Sequence, residues 1–117
     1  MNNNRRKKIK DIEQDILYCI NNKIYNMLLF SSIKENILTV LIEEEEAYEN
    51  YPENLQNSFK GEAMQDAIEY LENALFYMEE IIKENKNNDI NFKNISNNLN
   101  EAFEKLSNNA QKVSYNG

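Results

Sequence analysis

The chain has 117 residues and a net charge of −7, with 20 acidic and 13 basic side chains, no histidine, two glycines, one proline and one cysteine. Without histidine the commonest general base, the Cys/His dyad and the Glu-x-x-His ligands of di-metal bundles are excluded, and no glycine-rich loop exists to cradle a phosphate. So few turn residues force long helices, and an all-helical chain of one domain is the expectation.

Twenty-two asparagines are spread among periodic apolar residues, which reads as codon bias and not as a polar tract. Cys19 lies beside Ile16 and Ile20 on an apolar face, as a small core residue would. A lone cysteine permits no internal disulfide, which favours a cytoplasmic setting. No apolar run approaches a membrane span, and no membrane association is expected. Arg5, Arg6, Lys7 and Lys8 could imitate the start of an export signal, but Asp11, Glu13 and Asp15 place charges immediately after them, where such a signal is apolar.

Residues 1 to 10 carry Arg5, Arg6, Lys7, Lys8 and Lys10 and are expected to form a basic, disordered arm. The cluster is a candidate contact for an anionic partner. Cations oppose the dipole of a helix start, however, and no interleaved aromatic would stack bases, so nucleic acid is not the expected partner.

From Ile9 the apolar residues fall at 9, 12, 16, 20, 24 and 27, then at 30, 33, 37, 41 and 48, the spacing of one helix face. An unbroken helix from Lys7 to Asn50 would be roughly 65 Å long. Its weak points are Asn21-Asn22 and Ser31-Ser32, where it would kink or split in two. Around Leu28, Leu29, Phe30, Leu38, Val40 and Ile42 the apolar surface outgrows one stripe, implying burial on more than one side or a dimer interface.

Pro52 has no N–H and drives Tyr51 out of helical geometry, so the helix should end near Asn50. Pro52-Glu53-Asn54 suits a short helical piece reaching Gln56, and Ser58 is placed to cap the next helix. That helix runs from Ser58 to Asn85. Met64, Leu71 and Met78 share one heptad position, Ala67, Ala74 and Ile81 the next, with Ile68, Leu75 and Ile82 flanking them. A stripe this wide belongs to a packed bundle. Tyr70, Phe76 and Tyr77 fall outside it.

After the polar break Lys86-Asn87-Asn88-Asp89, a third helix sets Phe92, Ile95, Leu99, Ala102, Phe103, Leu106, Ala110 and Val113 on one face. The expected architecture is all-α, an antiparallel hairpin or bundle of three long helices, self-associating. One domain would span 11 to 113, with a frayed tail at 114 to 117.

The distribution of charge points to a surface. Residues 41 to 80 hold twelve carboxylates against the single Lys60, a net of eleven negative charges on forty residues. Glu43, Glu44, Glu45, Glu46, Glu49, Glu53, Glu62, Glu69 and Glu72 are the candidate partner-binding residues. Successive helix residues project about 100° apart, so Glu43 to Glu46 cannot converge on one ion. No catalytic, metal or cofactor site is expected, and the protein is read as non-enzymatic.

The stretch Glu45-x-Ala47-Tyr48-x-Asn50-x-Pro52-Glu53-Asn54-Leu55-Gln56-x-Ser58, followed by Gly61-Glu62 and Ala67-x-x-x-Leu71-Glu72-x-Ala74, resembles small acidic helical proteins of phages and mobile elements. The resemblance covers about residues 33 to 85 and implies a helical hairpin and a phage-like setting, with the host cytosol as compartment. It carries over no substrate, cofactor or site residue. The expected function is a helical interaction module showing an acidic surface to a basic protein partner. An alternative is an inhibitor of a host defence nuclease or nucleic-acid-binding protein, of anti-CRISPR or anti-restriction type, acting by nucleic-acid mimicry. A further alternative is a nucleic-acid-binding accessory protein using the basic arm.

Overall fold

The computed structural model describes residues 2–84 and 88–106. Among them are four helices, α1 (Asn2–Asn22), α2 (Met27–Glu49), α3 (Phe59–Glu84) and α4 (Asp89–Lys105), with a 3₁₀ turn at Glu53–Leu55. The described residues form no strand. The first of the three expected helices is therefore two. It breaks at the first weak point, Asn21-Asn22, whereas Ser31 and Ser32 stay helical on the solvent side of α2.

The break is a full helix stop. Lys23 adopts a left-handed conformation with φ 51°. Its N–H bonds to the Ile20 carbonyl at 3.4 Å, and that of Ile24 reaches the Cys19 carbonyl at 3.1 Å. These two bonds are the Schellman pattern that satisfies the last carbonyls of a helix. Asn26 then caps α2, accepting from the Leu29 N–H at 3.0 Å. A second asparagine does the same for α4, where Asn88 accepts from the Asn91 N–H at 3.0 Å.

Each helix packs on two neighbours, α1 on α2 and α4, α3 on α2 and α4. The result is an up-down-up-down bundle of 45 × 23 × 20 Å. Contacts between termini fix the antiparallel sense. Arg5 near the start of α1 meets Glu44 near the end of α2. Asn2 donates to the carbonyl of Leu106, just past α4, at 2.9 Å. Lys105 meets Asp66 near the start of α3 at 3.3 Å.

The core is the apolar stripe of each helix, with Ile9, Ile12, Ile16 and Cys19 from α1 and Phe30, Ile33, Ile37, Val40 and Leu41 from α2. From α3 and α4 come Ala67, Leu71, Ala74, Met78 and Ile81, then Phe92, Ile95, Leu99 and Ala102, with Leu106 beyond. Phe30 and Phe92 are fully buried and meet edge to face, centroids 5.6 Å apart, across the bundle. Each contributes about 2–3 kcal/mol by leaving water. Small Ala67, Ala74 and Ala102 let α3 and α4 approach closely.

The expectation that α2 is buried on more than one side does not hold within the chain. Phe30 and Val40 are buried, but Leu28 and Ile42 are exposed. A single stripe facing the core suffices for a bundle helix whose other side meets solvent. Ala110, Val113 and the expected tail lie outside the described residues, as do Lys86 and Asn87.

Candidate functional site

The Pro52 corner is tied together by side chains of Gln56, Ser58 and Gln65. Gln56 donates from its side-chain amide to the carbonyls of Tyr48 and Tyr51, both at 3.2 Å, covering orphan groups at the end of α2. Gln65 on α3 reaches back to the Tyr48 hydroxyl at 2.8 Å and the Gln56 carbonyl at 3.2 Å. Ser58 caps α3 by accepting from the Gly61 N–H at 3.2 Å. Gly61 is glycine for want of space, since a Cβ there would lie 2.1 Å from the Gln56 carbonyl oxygen.

This corner holds α2 and α3 side by side and thereby sets their acidic faces. On α3, Glu62, Glu69 and Glu72 are exposed. At 100° per residue they fall within about 80° of one another, opposite the buried Ala67 and Ala74. On α2, Glu46 and Glu49 are exposed and Glu45 half-buried. Glu53 is exposed on the 3₁₀ turn between them. None of these seven forms an ion pair with a described residue.

Two of the nine candidate carboxylates do not belong to that surface. Glu44 is fully buried and bonds Arg5 Nε through Oε1 at 2.6 Å. Its other oxygen, Oε2, has no hydrogen-bond partner among the described residues. Burial pushes its pKa above the usual glutamate value, while the Arg5 charge and hydrogen bond, and the charge of Lys60, pull it down. Glu43 is partly covered and meets Lys8 at 2.8 Å. Because Glu43 faces α1, Glu45 two residues on is turned roughly 160° away from that helix.

The basic stretch is likewise not a disordered arm. Residues 2–10 are the first turns of α1, and most of their cations are spent inside the molecule. Arg5 and Lys8 hold Glu44 and Glu43. Lys10 meets Glu13 at 3.3 Å. Arg6 and Lys10 lie over the Phe103 ring at 4.5 and 4.1 Å, pinning α1 to α4. Lys7 is exposed. The cations that oppose the α1 dipole are stabilised by tertiary partners, which sequence reasoning about an isolated helix does not count.

A pocket of about 560 Å³ opens where α1 and α3 begin and α2 and α4 end, with Arg5, Glu44, Asn50, Tyr51 and Lys60 in its lining. Sequence reasoning missed it, although one signal was present. The stripe 30, 33, 37, 41 continues by the same spacing to 44 and 48, which sets Glu44 on the core face among apolar residues.

Cys19 is buried, and burial, then the nearby Asp15 charge, raise its thiol pKa, so it is a poor nucleophile. Among the described residues no cluster of three His, Cys, Asp or Glu could hold a metal ion. No described helix is long and apolar enough to cross a membrane. No known protein family, curated protein or solved structure matches the chain.

Proposed function

We propose that the protein is a non-enzymatic interaction module of a phage or mobile element that offers the α2–corner–α3 face to a basic protein partner. The observation that carries this reading is that Glu46, Glu49, Glu53, Glu62, Glu69 and Glu72 are exposed, while Lys60 is the one cation of residues 41 to 80. Carboxylates so grouped set up a long-range field that speeds encounter with a positive surface and disfavours acidic competitors.

The same face supports a sharper form of the proposal. Carboxylates three residues apart, such as Glu46 with Glu49 and Glu69 with Glu72, are about 5–6 Å from each other. That is of the same order as the step between successive phosphates of one strand, which rise about 3.4 Å each along the helix axis. The face would then occupy the basic channel of a host nuclease or other nucleic-acid-binding protein. Direct nucleic-acid binding by the basic stretch draws no support from Lys8 and Lys10, which are engaged with carboxylates of the chain itself, nor from Arg5, whose side chain is largely covered beside the buried Glu44 and not displayed on an open basic surface. Self-association, through exposed apolar groups such as Leu28 and Ile42, is a separate part of the proposal. A strict monomer in light scattering at high concentration removes it.

The test is affinity capture from bacterial host lysate with three baits: the parent chain, Glu46, Glu49, Glu62 and Glu69 all changed to lysine, and a control with Asp11 and Glu101 changed. The charge reversal avoids Glu43 and Glu44, whose loss would disturb the fold. Recovery of a basic protein by the parent and the control but not by the face variant supports the proposal. Equal recovery by all three defeats it. Displacement of the captured protein by DNA or RNA selects the mimicry form.

A further inference from the structure

The bundle-end pocket reverses the charge of its surroundings. Among the described residues of the lining, two cations, Arg5 and Lys60, stand with the one carboxylate of Glu44, so these charged groups leave one net positive charge in a chain at −7. Lys60, alone among twelve carboxylates in its stretch, lines this pocket. Its ammonium stands 5.6 Å from the centre of the Tyr51 ring, which also lines it.

Arg5 is held in the manner of a ligand-binding arginine. Its side chain is 15% accessible, and the buried Glu44 takes Nε alone. Neither Nη has a hydrogen-bond partner among the described residues. A guanidinium fixed through Nε keeps both terminal nitrogens for a planar, bidentate grip on an oxyanion. Glu44 Oε2 is buried and has no hydrogen-bond partner among the described residues, so the one side-chain hydrogen bond of Glu44 is the one that holds Arg5.

We infer that this pocket binds a small organic or inorganic oxyanion, a carboxylate or a phosphate, with Arg5 and Lys60 as its charged contacts and Glu44 as the residue that positions Arg5. At about 560 Å³ it is in the range of small-molecule sites. Asn50 and Tyr51 add neutral polar groups to the lining. The inference is independent of the acidic face.

The experiment is titration of the full chain, followed by ¹H–¹⁵N NMR including the arginine Nε–H signals, with inorganic phosphate, citrate or adenosine monophosphate at constant ionic strength set by chloride. Saturable shifts of Arg5 Nε–H and of the Lys60 and Tyr51 amides are expected with at least one probe, and the tightest probe separates phosphate from carboxylate ligands. Lys60→Ala, a change at an exposed residue that spares the Arg5–Glu44 pair, should weaken binding about tenfold or more, as loss of one charge-assisted bond would. Lys83→Ala should leave it unchanged. Linear shifts spread over all basic residues with every probe overturn the inference, as does an affinity untouched by Lys60→Ala.

Discussion

Glu44 is the residue whose behaviour departs furthest from that of its neighbours. Glu43, Glu45 and Glu46 beside it meet water in whole or part, and it meets Arg5. Because burial raises its folded pKa above the usual 4.5, there is a pH interval between the unfolded and folded values in which the folded chain retains a proton that the unfolded chain has released. Stability contributed by Glu44 is therefore fully present below the unfolded value and is lost as pH rises through the folded one. Glu44→Gln keeps an acceptor for Arg5 and has no proton to lose, so its stability relative to the parent should improve as pH is raised from about 4 to 7 in urea unfolding. Removing the other partner is a harsher change. Arg5→Met strands a buried carboxylate and should cost about 3 kcal/mol, the lower end for a broken buried pair because Arg5 borders the pocket. At Gly61 the usual rule for helices reverses. Alanine normally gains up to about 1 kcal/mol over glycine in a helix. Here the Cβ would strike the backbone of the 3₁₀ turn, so Gly61→Ala should lose about 1–3 kcal/mol in thermal or urea unfolding.

At the scale of elements, the connection between α1 and α2 is the least optimised part of the fold. A left-handed lysine carries a steric cost of about 1–2 kcal/mol that glycine escapes. Lys23→Gly should therefore raise stability by about 0.5–1 kcal/mol, part of the gain being lost to the freer unfolded chain, as a shift in the urea midpoint would show. This connection also marks how far the elements could be read from sequence. The stripes of α3 and α4 were legible because they obey one period without interruption. Pro52, Gln56 and Ser58 announced the corner through chemistry that few residues share. The α1–α2 break was legible only as a weakness at Asn21-Asn22, since nothing in Lys23 marks it for positive φ and Asn26 is one asparagine among many. Pairings between elements were the least visible. Arg5 to Glu44 and Lys8 to Glu43 join residues 39 and 35 positions apart, and local spacing carries no trace of them. The acidic face was legible as a charge count, but its membership depended on which way each helix turned.

For the molecule as a whole, the four helices spend their apolar stripes on one another and leave α2 and α3 to show carboxylates to solvent. The internal ion pairs sort the charges. They neutralise Glu43 and Glu44 where α1 crosses α2, and Asp66 where α3 meets α4, and they leave the outer ridge of α3 and the end of α2 negative. Attraction of this type is screened within about 8–10 Å at physiological salt, so it should reveal itself by its salt dependence. The most direct test is the dissociation constant of the captured basic partner, measured against added salt for the parent chain and for the variant with lysine at Glu46, Glu49, Glu62 and Glu69. The parent should lose affinity steeply with salt, and the variant should bind at least tenfold more weakly at low salt, with a flatter or inverted dependence. Equal affinities with the same salt slope in the two proteins would contradict the account.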